Sequence, residues 1–372
     1  MIDVERSSKL GFGLMRLPEK DGKIDYERVN KMVDDYLASG LNYFDTAYVY
    51  HGGKSEVAVR ECLVKRHPRD SFTVATKLPI WSINSFEDRD SIFNEQLRRT
   101  GAGYFDYYLL HSIEDGNYAN YEKFECFSWG LEKKEQGLIK HLGFSFHGTP
   151  ALLEKVLDRH PEAEFVQIQL NYLDWDDPVI QSGKLYDILY ARKIPMIIME
   201  PVKGGTLANI SENCAEVFNE VSPGRSAASW ALRFVASLPG VMTILSGMST
   251  EEQVADNLAT FGNFVPLSDT EQAAVTKVRG LMRDVPLIGC TACRYCTDGC
   301  PMEISIPDIF SAVNAMRLDP SAWRPKNYYR SATDGKGKAH DCVACGQCES
   351  VCPQHLEIIE LLQEASGLFD EA

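Results

Sequence analysis

DYERVNKMVDDYLASG (25–40) runs straight into LNYFD (41–45), and the change of pattern at Gly40 decides the fold. Val29, Met32, Val33, Tyr36 and Leu37 recur at i, i+3 and i+4, which lays one apolar stripe along a helix. Gly40 suits the left-handed residue that ends such a helix. Beyond it the chain becomes a short β-rich run closing on Asp45. The unit is a helix followed by a buried strand.

That unit repeats. β-rich runs occur at LGFGLMRL (10–17), GLNYFD (40–45), FTVATK (72–77), FDYYLLH (105–111), IKHLGFS (139–145), FVQIQLN (165–171), IPMIIME (194–200) and VMTILS (241–246). Stretches of helical period lie between them, among them KSEVAVRECLVKR (54–66), PALLEKVLDRH (150–160), SAASWALRFVASL (226–238) and TEEQVADNLATF (250–261). Eight alternations fit an α/β fold of the (β/α)8 TIM-barrel kind, about 250 residues in size. A doubly wound sheet also alternates, but it uses fewer units and a glycine-rich phosphate turn after its first strand. GFG (11–13) lacks the rest of that turn. The expected barrel spans 1–284.

The 372 residues are 44% hydrophobic and 24% charged, ordinary for a globular protein. Thirty-eight basic against 53 acidic residues leave a net charge of −15, which argues against nucleic acid or an anionic membrane as partner. No stretch approaches 18 apolar residues and the N-terminus shows no apolar signal region, so a cytoplasmic protein is expected.

Eight of the eleven cysteines fall in two runs, CTACRYCTDGCP (290–301) and CVACGQCESVCP (342–353). Each reads C-x2-C-x2-C-x3-C-P, the ferredoxin spacing, in which three thiolates come from one tight loop and the fourth crosses to the other cluster. By that rule Cys290, Cys293, Cys296 and Cys352 hold one four-iron four-sulfur cluster. Cys342, Cys345, Cys348 and Cys300 hold the second. Zinc would instead want pairs of C-x2-C. IPDIFSAVNAMRL (306–318) is helical in period, the polar patch ATDGKGKAH (332–340) precedes the second run, and HLEIIELLQEASGLF (355–369) reads as a closing helix. Residues 285–372 are therefore expected to form a smaller, mainly α-helical ferredoxin-like domain. Cys62, Cys126 and Cys214 read as ordinary buried thiols.

In a barrel, chemistry gathers at the C-terminal ends of strands. Those ends carry Asp45, with Tyr50 just beyond, then Lys77, His111 and Ser145. Singly each has a bland explanation as a cap, a packing residue or a core histidine. Together they suit one task. Tyr50 would donate a proton, Lys77 would stabilise its phenolate, Asp45 would hold the lysine ionised, and His111 would hydrogen-bond a substrate oxygen.

FDTAYVY (44–50), with Lys77 and His111 on the next two strands, resembles the Asp–Tyr–Lys–His tetrad of the aldo-keto reductases. The resemblance covers residues 8 to about 270, and the cysteine runs point to a branch with a C-terminal ferredoxin-like domain. It implies a nicotinamide dinucleotide, NADP(H) or NAD(H), bound without a Rossmann motif. Ser145 in GFSFHG and Gln167 in VQIQLNY take the carboxamide-binding positions, and Met199 stands where many members stack an aromatic ring. Ser249, Gln253, Asp256 and Asn257 in GMSTEEQVADN fall at the adenosine end. The Lys/Arg pair that many members aim at the 2′-phosphate is missing, with Gly247 and Gln253 in those places; Lys203 and Arg225 are loop cations that would compensate.

The resemblance implies reduction of an aldehyde or ketone, or oxidation of the alcohol, by hydride transfer. A hydride carries two electrons and a cubane cluster passes one, so the two sites match only through a further step. No flavin fingerprint is visible, although barrels bind FMN through loop backbone. The alternatives are a ferredoxin-linked oxidoreductase, with ferredoxin or another one-electron carrier as partner, and a redox-sensing regulatory protein. Trp81, Trp129 and Trp175 are candidates either for the mouth or for packing.

Overall fold

The structure, a computed structural model, describes residues 2, 8–177, 180–262, 264–283, 285–318 and 324–370. Asp284, the expected last residue of the barrel segment, lies outside them. The chain forms two compact units, residues 1–201 with 232–266 and residues 202–231 with 267–372.

In the first unit all eight expected strands are present: β1 (Leu10–Gly13), β2 (Tyr43–Asp45), β3 (Thr73–Pro79), β4 (Phe105–Ile113), β5 (Ile139–Phe146), β6 (Phe165–Gln169), β7 (Met196–Met199) and β8 (Val241–Ser246). Each pairs in parallel with the next, and β1 pairs with both β2 and β8, closing the barrel. The register sets the mouth: Asp45 lies opposite Ala75, Lys77 opposite Leu109, and Pro79 opposite His111. Strands covered on both faces need no polar alternation, which is why β4 is buried at every residue. Tyr43, Ala75, Tyr107, Leu109, Phe165, Ile197 and Met242 belong to one buried cluster, joined by Ile2.

The helix Tyr26–Ala38 buries Val29, Met32, Val33 and Tyr36, the residues of the sequence stripe. Leu37 is only half-buried. The Tyr36 hydroxyl donates to the Leu10 carbonyl at 2.6 Å, tying the helix to β1. Gly40 takes φ +86°, as a helix-ending glycine should. The expected helix over 54–66 instead divides into Lys54–Ala58 and a π turn, Val59–Val64. Its wider turn brings Val59, Cys62 and Leu63 under cover together with Glu56. A hairpin, Glu19–Lys20 with Lys23–Ile24, follows β1 and turns on Asp21 and Gly22, both at positive φ, an Asp-Gly pair that is itself a hairpin signal.

In the second unit the helices Glu212–Val221 and Asp269–Arg283 pack on each other, and Ile306–Leu318 packs on both Arg324–Thr333 and Ile358–Phe369. Ile304, Ile309, Phe310, Val313, Ile358 and Leu362 form its core beside the cysteines. Ile304 also bridges Gly337, where a Cβ would stand 2.1 Å from the Met302 carbonyl oxygen, so only glycine fits there. The segment after residue 284 is mainly helical, as expected, but the unit also takes in residues 202–231 and 267–284, which the sequence analysis assigns to the barrel. Among the described residues no helix is long and apolar enough to cross a membrane.

Candidate active site and cysteine cavities

Lys77 points inward from β3 and is fully buried. Its Nζ donates to Asp45 Oδ1 at 2.6 Å and to the Thr46 carbonyl at 2.8 Å. Burial pulls the Lys77 pKa below its ordinary value and pushes that of Asp45 up, while the contact between them opposes both. The Asp45 Oδ2 atom is buried without a hydrogen-bond partner among the described residues.

Tyr50 begins a tight turn, Tyr50–Gly53, in which His51 and Gly52 have positive φ. The turn is tethered to the β1 loop: the Leu17 N–H donates to His51 Nε2 at 3.2 Å, and His51 Nδ1 contacts Glu19 at 2.9 Å. Tyr50 is thereby buried with the Lys77 ammonium 4.9 Å from its ring centroid. The His111 ring stands 6.1 Å from that of Tyr50, nearly perpendicular. Burial, reinforced by Lys77 and His147, holds the His111 pKa well below the usual imidazole value, so the ring is neutral at pH 7. Asp45, Tyr50, Lys77 and His111 thus meet at one end of the barrel. A neutral imidazole beside a phenol and a buried ammonium can polarise a carbonyl oxygen and protonate it.

Trp81 is half exposed and its ring lies 5.0 Å from that of His111, at the mouth. Trp129 is buried against Phe93, and the half-buried Trp175 packs on Phe234, both in packing positions.

A polar layer behind the lysine has no counterpart in the sequence reading. Glu56, fully buried, accepts from Thr76 Oγ1 at 2.8 Å and Gln96 Nε2 at 3.0 Å; Gln96 also donates to the Lys77 carbonyl at 2.9 Å. Tyr108 donates to Gln96 Oε1 at 2.7 Å. Glu56 was hidden inside a segment that reads as an ordinary amphipathic helix.

The positions expected to face the dinucleotide lie on β5 to β7 and in the loop and helix after β8. Ser145 Oγ accepts from the Ser112 N–H at 2.7 Å. Gln167 Nε2 contacts Met199 Sδ at 3.4 Å, while Gln167 Oε1 is buried with no hydrogen-bond partner among the described residues. That leftover acceptor suits an amide N–H, as a carboxamide would offer. Ser249 N–H donates to Gln253 Oε1 at 2.7 Å, Asn257 donates to Ser246 Oγ at 2.9 Å, and Asp256 follows on the same helix, Glu251–Gly262.

The cation at this end comes from the short turn after β1, Leu14–Arg16. Arg16 pairs with Glu200 at 2.7 Å, its carbonyl accepts from Ser249 Oγ at 2.6 Å, and its Nη1 stands 3.1 Å from where a Cβ on Gly247 would lie. Arg16 therefore fills space that a side chain at 247 would occupy, between the ends of β7 and β8, where barrels commonly bind phosphate. The signal was available as the one basic residue in LGFGLMRL. Of the two compensating cations suggested by sequence, Arg225 donates to Ser222, and Lys203 is buried near Gly289.

In the second unit the eight run cysteines surround two cavities. Cys290, Cys293, Cys296 and Cys352 line one; Cys300, Cys342, Cys345 and Cys348 line the other. Each takes three cysteines from one run and one from the other. Ile306 lines both. Among the described residues no three cysteine, histidine or acidic side chains stand close enough to share a single metal ion. Four thiolates spread round an apolar hollow suit a cubane better than a lone tetrahedral ion.

A family model for the aldo/keto reductases matches residues 9–279, and one for a 4Fe-4S dicluster domain matches 289–357. An uncharacterized oxidoreductase of Bacillus subtilis, YqkF, is 25% identical over 281 residues, covering 68% of this chain and 86% of that one. The L-galactose dehydrogenase of Arabidopsis thaliana is 25% identical over 300 residues, covering 75% and 91%. An aldo/keto reductase from Klebsiella pneumoniae, solved with NADP and acetate, shares the fold with a TM-score of 0.61 at 19% identity, over 73% of this chain and 92% of its own.

Proposed function

Since the chain belongs to the aldo/keto reductase family and carries a 4Fe-4S dicluster domain, we propose that it interconverts an aldehyde or ketone with its alcohol at the Tyr50 end of the barrel, using NADP(H) or NAD(H). The observation that carries this reading is the buried Lys77–Asp45 pair with its ammonium 4.9 Å from the Tyr50 ring.

The nicotinamide, when bound, supplies the hydride. The chain's own residues handle the oxygen. Neutral His111 donates a hydrogen bond to the carbonyl oxygen, and the Tyr50 hydroxyl gives that oxygen its proton as the alkoxide forms. Lys77 stabilises the phenolate left behind, and Asp45 keeps the lysine oriented. Ser145 and Gln167 would hold the carboxamide, with Met199 against the ring; Ser249, Gln253, Asp256, Asn257 and Arg16 would serve the adenosine end. The relatives named for a dehydrogenase and solved with NADP support a nicotinamide-linked alcohol–carbonyl reaction.

Each cysteine cavity would hold one four-iron four-sulfur cluster. Pro301, Met302, Val343 and Cys345 around the second are exposed, which supports a one-electron carrier such as ferredoxin as partner. Clustered thiolates of this kind need the reducing conditions of the cytoplasm, where the protein is proposed to work.

The test is Tyr50→Phe. A general acid contributes about 10^2 to 10^4 in rate, so carbonyl reduction with NADPH or NADH should fall by that factor while nucleotide binding persists. Full activity in the variant removes Tyr50 from the reaction.

A further inference from the structure

The turn that carries Tyr50 is anchored by one face of the helix Phe86–Thr100. Gln96 and Arg99 stand three residues apart on that helix and so share the face. Gln96 is fully buried and Arg99 half-buried. The Gln96 amide donates to the Lys77 carbonyl at 2.9 Å, and Nε2 also reaches Glu56 Oε1 at 3.0 Å and Thr76 Oγ1 at 3.1 Å. A carbonyl can only accept, and the buried Tyr108 hydroxyl donates to the amide oxygen at 2.7 Å, so the way the amide points is settled. Both its donors and its oxygen are engaged.

Arg99 reaches the stretch before Tyr50 as well as the one after it. Its Nη1 donates to the Tyr48 carbonyl at 3.0 Å and stands 3.4 Å from Glu56 Oε2. It also fills the space beside Gly53, where a Cβ would lie 2.6 Å from Nη1. The Thr46 N–H donates to the Ala75 carbonyl at 2.9 Å. Thr46 Oγ1 meets Ser55 Oγ at 2.7 Å, and Ser55 Oγ donates to the Leu14 carbonyl at 2.9 Å. Residues 46, 48, 55 and 56 are thus tied down, and Tyr50 lies between them.

A buried amide is costly unless its bonds are made, and an apolar side chain would fill the same space between helix and barrel. What the amide adds is a link between β3, which bears Lys77, and the helix Lys54–Ala58 that follows Tyr50. That separation matters for proton transfer. An ammonium stabilises a phenolate in inverse proportion to distance, and a misplacement of about 1 Å can cost about a hundredfold in rate. Asp45 and the Thr46 carbonyl fix the Lys77 ammonium. Gln96 and Arg99 fix the segment that presents the phenol to it.

Resting on the reading of Tyr50 as proton donor, we propose that Gln96 and Arg99 are positioning residues, which keep the Tyr50 ring over Lys77 by way of the Lys77 carbonyl, Glu56 and the Tyr48 carbonyl. The test uses Gln96→Met and Arg99→Met in the full chain, each alone and each combined with Tyr50→Phe. The readouts are the single-turnover rate of 4-nitrobenzaldehyde reduction by NADPH or NADH, nucleotide affinity by fluorescence, and crystal structures of the single variants beside wild type. Each single variant should lower the rate by about tenfold to a hundredfold with nucleotide affinity unchanged. Its crystal should show the Tyr50 ring moved from its wild-type distance to Lys77 Nζ. Added to Tyr50→Phe, neither change should lower the rate further, since the group it places is gone. A general loss of packing would lower the rate in both backgrounds. If Gln96→Met fails to fold, Arg99→Met, at the half-buried position, decides alone. A ring that keeps its wild-type distance, a rate that does not fall, or an equal loss with and without the Tyr50 hydroxyl overturns the positioning and leaves the Tyr50 reaction standing. Full activity in Tyr50→Phe, or no reduction by wild type, overturns that reaction, and the crystal structures then decide the positioning by themselves.

Discussion

Asp45→Asn removes one side of the buried pair without changing its shape. Lys77 keeps the Thr46 carbonyl at 2.8 Å and loses the carboxylate at 2.6 Å. Two routes are then open to the lysine. It can stay charged, and an unpaired ion left behind in a protein interior costs about 3–5 kcal/mol. It can instead fold as the neutral amine. Releasing a proton at pH 7 from a group of ordinary pKa about 10.4 costs about 5 kcal/mol. The second route caps the first, so the barrel should lose about 3–5 kcal/mol at pH 7. Burial already pulls the Lys77 pKa down, and without Asp45 nothing of comparable strength opposes it. A lysine whose folded pKa lies below its unfolded value binds fewer protons when folded, so stability must rise with pH between those two values. Urea midpoints from tryptophan fluorescence at pH 7 and pH 9.5 measure this. The variant should recover part of its deficit at the higher pH, and its carbonyl reduction should be lost at pH 7 because a neutral amine cannot stabilise phenolate. A variant within about 1 kcal/mol of wild type, with a gap independent of pH, would show that the pair is not the buried ion pair described.

Arg16→Leu should weaken NADPH binding by between about tenfold and a hundredfold, the worth of one charged hydrogen bond to phosphate, and weaken NADH binding less; equal losses, read from nucleotide fluorescence, would take Arg16 off the 2′-phosphate. Glu164 offers an acid-side test. Burial pushes its carboxyl up, but His141, Lys134 and the Leu142 N–H together hold it down to about 2. Its folded pKa lies below the unfolded one, so its contribution is present above about pH 4.3 and lost as pH falls toward 2. Glu164→Gln should therefore be less stable than wild type at pH 7, with most of that gap closed by pH 2.5 in a denaturation series; a constant gap would remove the carboxylate as the cause.

The strands were legible because parallel barrel strands are buried on both faces and appear as short apolar runs, and the intervening helices because one face repeats at 3.6 residues. The same local signals are silent about partners far along the chain. Glu56 looks like any polar residue on an amphipathic helix until β3 and the helix Phe86–Thr100 bring Thr76 and Gln96 against it. Arg16 reads as a surface cation until β7 and β8 close around it. Lys203 reads only as one of two loop cations, with Arg225, that would compensate for the missing pair; the structure sets it in a loop of three successive left-handed residues, invisible in a pattern of polarity, with its Nζ 3.9 Å from the position of a Cβ on Gly289. The cysteine spacing carried further than any of these, since it specified both which residues gather and how the two runs exchange one ligand each.

Electron counting constrains how the two chemistries combine. A hydride delivers a pair, whereas each cubane accepts one electron, so two clusters together have the capacity of one hydride. Equal sites would tend to fill at the same potential and pass electrons on without order. On the proposed reading, the exposed Cys345 and the apolar rim of one site would suit exchange with a soluble carrier. Such encounters between redox proteins use small contact areas and short lifetimes, which a rim of Pro301, Met302, Val343 and Cys345 matches in scale. On the proposed reading, two such sites would let a pair that arrives together leave singly.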